Sequence, residues 1–148
     1  MYFRGQWYYT QLAAPPWLMS QLVDRNGQQI AALELFAVVL AFGTFQKFFC
    51  HAAISCIIDN NSVLYSLIRG SSAAEDINAV IGHLWRLTDS LGAAFHWMRV
   101  ESDANPADDP SRGGTQVMSQ LGAHFLDPNL PTFLRHIWRI ESIAQSTT

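Results

Sequence analysis

One apolar segment constrains this chain more than any other feature. The thirteen residues IAALELFAVVLAF, at positions 30–42, contain a single charged residue, Glu34. The segment is too short to span a bilayer, and its apolar residues recur at three- and four-residue steps, which predicts a helix over residues 28–49. The predicted inward positions are Ile30, Leu33, Ala37, Leu40, Ala41, Phe45 and Phe48. Such a helix must be buried, and so the chain must build a packed core around it.

The composition supports a packed core and narrows the function classes. The chain has 148 residues, 49% of them hydrophobic, which fits one domain and argues against disorder. A net charge of -3 gives no sign of a generic polyanion-binding protein. Cys50 and Cys56 are too few for a disulfide scaffold and are expected to be buried free thiols. No secretory signal is visible, so we expect a soluble intracellular protein without a membrane partner.

The first part of the chain reads as strand material followed by turns. The segment YFRGQWYYTQL, residues 2–12, is rich in aromatic residues and predicts a strand that ends at Pro15 and Pro16. Residues 17–22, WLMSQL, are compatible with a short strand or a loop. Residues 24–27 form a turn signal.

Beyond the long helix, strands and helices alternate. A strand is predicted at 55–59, a helix at 62–68 closed by Arg69 and Gly70, a longer helix at 74–91 and a strand at 94–100. A polar loop, SDANPADDPSRGG, follows, and then short apolar clusters over residues 121–143. This order predicts an α/β fold with a mixed sheet.

Carboxylates lie at three positions of interest, one on an apolar helix and two where ligands are commonly bound. Glu34 lies on the apolar helix, Asp59 ends the strand CIID, and Asp108 and Asp109 follow a strand and a proline-containing loop. Strand ends in α/β folds commonly point into a ligand crevice. Three such carboxylates could converge on hydrated Mg²⁺, and two such ions can activate a water and stabilise the leaving oxygen of a phosphodiester.

Each carboxylate also has a plainer interpretation. Glu34 could face solvent at the rim of the helix, since periodicity does not decide its side. Asp59 could cap the following helix. Asp108 and Asp109 could be turn residues between two prolines. The residues by themselves leave these alternatives open.

Three segments together resemble the ribonuclease H-like domain of retroelement reverse transcriptases, of the LTR or DIRS type. They are IAALELFAVVLAF, CIIDNNSVLYSLIRGSS and WMRVESDANPADDPSRGG, and the resemblance covers residues 28–114. In that family a helix carries the Glu of an L-E-L/A pattern and a strand end carries the Asp of D-N. The last carboxylate lies in an N-x-A-D-x-x-S-R pattern. The resemblance therefore implies Glu34, Asp59 and Asp108 as catalytic residues and metal ligands for Mg²⁺ or Mn²⁺.

The same resemblance suggests residues for nucleic-acid contact. Asn105 and Arg112 match the last motif, and Arg69 lies in the basic turn after the D-N helix. Asn60 could touch a nucleic-acid backbone or cap the helix. Arg69 and Arg112 could contact phosphates or only solvate the surface.

The chain departs from the family in one respect. The family has a fourth carboxylate, an Asp on its first and central strand, and that strand has no counterpart after Met1. The resemblance thus implies a ribonuclease H-like mixed sheet flanked by helices with the first strand missing, an exposed neighbouring edge and an incomplete two-metal site. It divides the chain into a domain over 1–114 and an extension over 115–148.

Other polar and aromatic residues receive no role in the expected site. His51, His83 and His136 are expected at the surface or in packing, His96 falls on a strand, and His124 lies beyond the last motif. The tryptophans lie in apolar segments, which favours core packing over base stacking. They are Trp7, Trp17, Trp85, Trp97 and Trp138.

The resulting expectation is metal-dependent hydrolysis of the RNA strand of an RNA–DNA hybrid. The hybrid would be recognised through 2′-hydroxyl and phosphate contacts. The remainder of a reverse transcriptase polyprotein is a further expected partner. Two alternatives remain: a catalytically dead nucleic-acid-binding remnant, and a non-enzymatic α/β interaction module whose carboxylates only cap helices and turns.

Overall fold

The computed structural model describes residues 1–22 and 29–137 and shows a mixed α/β chain. The strands are β1 (Tyr2–Phe3), β2 (Gln6–Tyr9), β3 (Ala53–Ile58), β4 (Ala94–Arg99) and β5 (His124–Phe125). The helices are α1 (Pro16–Leu22), α2 (Gln29–Phe45), α3 (Asn61–Arg69), α4 (Glu75–Ser90), α5 (Asp108–Ser111), α6 (Gln116–Gln120) and α7 (Phe133–Ile137). Short 3₁₀ helices cover Gln46–Phe48 and Ser102–Ala104. The α/β expectation is confirmed.

The strands form two sheets. β1 pairs with β2 antiparallel and β2 pairs with β5 parallel, which gives a three-stranded mixed sheet. β3 and β4 form a two-stranded parallel sheet in which Ala53 lies opposite Ala94 and Ile58 lies opposite Arg99. Residues 124–125, beyond the polar loop, thus belong to a sheet of the main fold, and Leu134 of α7 is in the core.

The first predicted strand is in fact a hairpin. Arg4 and Gly5 both have positive φ, 48° and 84°, so the chain reverses between β1 and β2. Positive φ at both central residues is the geometry of a two-residue hairpin whose twist matches its strands. The sequence gives no signal for this turn, because Arg is an unusual residue in this conformation.

Residues 17–22 belong to α1, so the expectation of a strand or a loop was wrong. Pro16 occupies the first helical position, where its missing N–H costs no hydrogen bond. Leu18 and Leu22 lie one turn apart and are both buried, and Trp17 contacts Phe36 of α2 edge-on. The predicted turn at 24–27 lies outside the described residues.

The long helix exists as predicted, and Leu40 and Phe45 are buried as expected, but two of the predicted inward positions are not. Ile30 is 67% exposed and Ala37 is also exposed. The buried face is formed by Ala32, Leu35, Phe36, Val39, Leu40, Phe42, Gly43, Thr44 and Phe45. Because α2 is apolar on almost every side, periodicity could not select the side that packs.

The helical segment formed by α2 and the 3₁₀ helix after it ends at Phe48, close to the predicted limit of residue 49. Residues Gln29–Phe48 are long and apolar enough to cross a membrane by length and composition alone. Half of the most apolar 18-residue window of this segment is buried inside the fold.

The core is centred on α2 and includes residues from the other long helices and from the β3–β4 sheet. Phe42 stacks on Phe95 and Trp97 of β4, at ring-centroid distances of 4.9 and 6.2 Å. Leu67 of α3, Val80 and Ile81 of α4 and Leu134 of α7 complete it. Two side chains depart from the expected burial: Cys50 is exposed, and Trp85 is 44% exposed because it lies on the outer side of α4. Trp138 lies outside the described residues.

Candidate carboxylate site

Three different elements carry the candidate carboxylates. Glu34 lies in the second turn of α2, Asp59 follows the last residue of β3, and Asp108 is the first residue of α5. All three side chains are of intermediate exposure. The site therefore depends on how a helix, a strand end and a loop are brought together.

The electrostatics of Glu34 indicate that Asp59 and Asp108 are close enough to act on its charge. Burial raises the pKa of Glu34, and the negative charges of Asp59 and Asp108 raise it further. Like charges disfavour the ionised form only when they are close, so two carboxylates far apart in sequence act on the same side chain. This bears against the plain reading of Glu34 as a solvent-facing rim residue, because a rim residue keeps its hydration.

Asp59 is not the cap of α3. Asn60 is the N-cap, and its Oδ1 accepts a hydrogen bond of 3.1 Å from Val63 N. Within residues 1–22 and 29–137, neither Asp59 nor Glu34 has a side-chain hydrogen bond or an ion pair. The capping interpretation thus belongs to Asn60, and the Asp59 carboxylate is left available for a ligand.

Asp108 is placed by a turn that Asn105 organises. Ala107 N donates to Asn105 Oδ1 at 3.1 Å, and Asp108 N donates to the Asn105 carbonyl at 3.0 Å. The Asp108 carboxylate forms an ion pair with Arg112, with 3.2 Å between Nε and Oδ1. The residues of the N-x-A-D-x-x-S-R pattern therefore build one compact structure that presents Asp108 and Arg112 together.

Asp109 has a different, structural task. Its Oδ2 accepts a hydrogen bond of 3.0 Å from Val117 N in the first turn of α6, and its side chain fills the space beside Gly114. A Cβ at position 114 would overlap the Asp109 carboxylate. The turn interpretation fits Asp109, which joins α5 to α6.

The candidate nucleic-acid contacts are only partly free. Asn60 is engaged as a cap, and the Arg69 guanidinium donates to the Ser71 carbonyl at 3.2 and 3.4 Å, so it closes the turn after α3. Asn105 is engaged in its turn. Arg112 uses only Nε for Asp108, which leaves both terminal nitrogens of an exposed guanidinium without a hydrogen bond inside the described part of the chain.

The donor set suits a hard divalent cation. Glu34, Asp59 and Asp108 offer only carboxylate oxygens, the ligands that Mg²⁺ prefers, and their mutual repulsion would be relieved by a cation. Within the described residues, however, no three His, Cys, Asp or Glu side chains converge closely enough to form a metal cage. The chemistry of the residues fits a cation, and ligation would require the side chains to turn toward it.

Sequence reasoning missed two features near these elements. Gln11, just after β2, donates from Nε2 to the Pro110 carbonyl at 2.6 Å and so ties the first sheet to α5. A cavity of about 160 Å³ lies between α2, α3 and α4 and is partly lined by Ser62, Ser66 and Ser72. Neither feature has a sequence signal, because both depend on elements that are distant in the chain.

Comparisons of the chain with protein-family models, with curated proteins and with solved structures found no match.

Proposed function

We propose that this chain is a ribonuclease H-like domain of a retroelement reverse transcriptase that hydrolyses the RNA strand of an RNA–DNA hybrid with divalent metal ions. The observation that carries the proposal is that the half-buried side chains of Glu34 and Asp59 have no hydrogen bond or ion pair within the described residues. Burial raises the pKa of Glu34, and the charges of Asp59 and Asp108 raise it further. Those residues come from three segments whose order and motifs resemble that family. Glu34 and Asp59 have no neutralising partner among the described residues. Partly buried carboxylates of this kind are energetically costly unless they bind a ligand.

In this proposal each residue has a defined task. Glu34, Asp59 and Asp108 would hold the metal ions through their carboxylate oxygens. Bound Mg²⁺ or Mn²⁺ would supply an activated water, oriented in line with the scissile phosphate, and would stabilise the leaving oxygen. Arg112 would exchange its contact with Asp108 for one with a phosphate, since a guanidinium binds both groups with the same donors.

The raised pKa of Glu34 gives the proposal a pH dependence. A proton on Glu34 competes with a cation for the same oxygens, so metal binding should strengthen as the pH rises through the pKa of Glu34. Because that pKa is higher than the ordinary value of 4.5, the change should occur at a higher pH than for an isolated Glu.

The test is cleavage of an RNA–DNA hybrid by the purified chain in Mg²⁺ and in Mn²⁺. Asp59→Asn should reduce the rate by about 100-fold or more, equivalent to about 2.7 kcal/mol of transition-state stabilisation. Circular dichroism should remain unchanged, because Asn60 and not Asp59 caps α3. The matched control is Asp103→Asn, because Asp103 is an exposed carboxylate in the Ser102–Ala104 turn. This variant should cleave the hybrid at the rate of the parent chain.

A catalytically inactive nucleic-acid-binding domain is the second candidate. It is favoured by the ion pair of Arg112 with Asp108, in which a protein cation already partly neutralises one carboxylate. This candidate predicts binding of the hybrid without cleavage in either metal. Arg112→Ala would then weaken binding, whereas Asp59→Asn would leave it unchanged.

A further inference from the structure

The three-stranded sheet has one face that lies outside the core. Side chains alternate between the two faces of a strand, and paired residues of neighbouring strands share a face. Tyr2 pairs with Trp7, and Tyr9 pairs with Phe125, so these four rings project from the same side of the sheet. Tyr8 projects from the other side and packs against the core. Among the described residues, none of the four rings belongs to the core or packs against it.

The four rings form two contacting pairs at a solvent-exposed surface. The ring centroids of Tyr2 and Trp7 are 5.1 Å apart, and those of Tyr9 and Phe125 are 5.4 Å apart. Tyr2 is 59% exposed and Phe125 is 48% exposed. Contiguous exposed apolar groups commonly mark a binding surface. Because the rings project from a face of the sheet, a further strand beside β1 would widen the sheet without covering them.

The hairpin end of this sheet carries positive charge. The Arg4 guanidinium lies 5.2 Å from the centre of the Phe3 ring, and the Lys47 ammonium lies 5.1 Å from the centre of the Phe48 ring. Phe3 contacts Phe48, so both cations lie at the same end of the sheet. Neither cation forms an ion pair within residues 1–22 and 29–137. The first 22 residues contain no Asp or Glu although the chain has a net charge of -3, and the carboxylate nearest to β5 in the sequence is Asp127.

We propose that this aromatic face binds a single strand of nucleic acid. Single strands are bound by aromatic rings, on which bases stack, together with cations that hold the phosphates. Both groups are present here. A duplex fits less well because its bases already stack on one another and cannot reach the rings. An acidic peptide fits less well because its carboxylates would use the cations and leave the four rings without a partner.

Each ring pair provides a place for one base. Trp7 and Tyr9 are two residues apart on β2, a separation of about 7 Å along the strand, so two bases can stack side by side. Arg4 follows Tyr2 by two residues and binds a phosphate next to the base on Tyr2. Stacking of this kind tolerates any base sequence. Binding here involves no metal ion and none of the three candidate carboxylates, so the inference does not depend on the proposed cleavage.

The first experiment measures binding of a fluorescein-labelled oligo-dT of about 20 nucleotides, longer than the usual site size, by fluorescence anisotropy in EDTA at low salt. Tyr2→Leu keeps an apolar side chain but removes the flat ring, and it should raise the dissociation constant about fivefold or more. Tyr2→Phe keeps the ring and should bind like the parent chain. Tyr65→Leu is the matched control, since Tyr65 is 62% exposed on α3, and it should leave binding unchanged.

The salt dependence of binding tests the phosphate contact separately. Arg4→Gln should reduce the slope of log K against log salt by about 0.7, the value for one phosphate contact with a single strand. Arg86→Gln removes the same charge from an exposed position on α4 and should leave the slope unchanged. Circular dichroism checks that each variant folds. If Tyr2→Leu does not fold, Phe125→Leu removes a ring from the other pair and should weaken binding to a similar extent.

Four outcomes would overturn the proposal. The folded parent chain could fail to bind oligo-dT at low salt. Tyr65→Leu could weaken binding as much as Tyr2→Leu, which would indicate general apolar association. A DNA duplex of the same length could compete as well as the single strand, and the rings would then have no part in binding. Finally, poly-glutamate could compete equally well, which would indicate a surface for any polyanion. None of these results depends on hybrid cleavage, since EDTA removes divalent metal ions and oligo-dT is not a hybrid.

Discussion

The two sheets of this chain rest on the same helical segment in different ways. The β3–β4 sheet packs against the last turn of α2, where Phe42 stacks on Phe95 and Trp97. The three-stranded sheet contacts the 3₁₀ helix that follows α2, where Phe48 lies against Phe3 and Tyr8 at ring distances of 5.1 and 5.0 Å. One sheet is therefore anchored in the core, and the other is attached at its margin.

This difference bears on the candidate site. Asp59 extends from the core-anchored sheet, and Glu34 lies on the helix that supports it. Asp108 lies in α5, which Gln11 ties to the marginal sheet through the Pro110 carbonyl. The candidate site therefore combines two carboxylates of the core, Glu34 and Asp59, with Asp108, which is held by contacts nearer the surface.

The largest expected effect comes from removing the central ring of the core. Phe42→Ala should lower the free energy of unfolding by about 3–5 kcal/mol, because a fully buried aromatic side chain is lost and a cavity remains. Denaturant titration followed by circular dichroism measures this change. A loss below about 1 kcal/mol would contradict the view that the β3–β4 sheet is anchored there.

The corresponding change on the marginal sheet should cost less. Tyr8→Ala removes a half-buried ring that contacts Phe48 and His124, and we expect a loss of about 1–2 kcal/mol. The same titration gives the value. Equal losses for Tyr8→Ala and Phe42→Ala would show that the two sheets are anchored alike.

Two neighbouring aspartates should separate structure from function. Asp109→Ala removes the acceptor for Val117 N and should cost about 1–2 kcal/mol of stability. Asp108→Ala breaks only an exposed ion pair with Arg112 and should cost about 0.5 kcal/mol or less. Under the proposed function the hybrid-cleavage assay should show the larger loss for Asp108→Ala. The reverse order in stability would mean that the two roles are exchanged.

The smallest expected stability effect concerns Glu34 and depends on pH. Its folded-state pKa is raised, so the folded state prefers the protonated form, and that stabilisation is lost as pH rises from the ordinary value of 4.5 through the folded value. Glu34→Gln should therefore be more stable than the parent at pH 7 and equal to it at pH values well below 4.5.

Unfolding titrations at several pH values check this prediction, with Glu101→Gln as an exposed control. A benefit of Glu34→Gln that grows as the pH falls would contradict the assigned cause. Addition of Mg²⁺ should reverse the advantage at pH 7 if the three carboxylates hold a cation, since a bound cation stabilises only the parent chain.

Local signals in the sequence were sufficient for some elements and not for others. The helix after Asp59 was predictable because Asn60 is a good capping residue and Gly70 suits the left-handed conformation, with a φ of 74°. Helix α1 was missed because its short apolar segment, WLMSQL, fits a strand equally well. Ile30 and Ala37 were wrongly expected on the inner side of α2 because a helix that is apolar all round has no clearly preferred face in its sequence.

The sequence by itself determined that the chain is α/β, and it identified Glu34, Asp59 and Asp108 as candidates. Capping residues, strand ends and turn residues act over a few positions, so their effects can be read locally. Only the tertiary structure decided that Asn60 rather than Asp59 caps α3, that Asp109 binds the first turn of α6, and that two distant carboxylates act on Glu34. Packing between distant segments sets those relations, because burial and charge depend on which side chains meet in space.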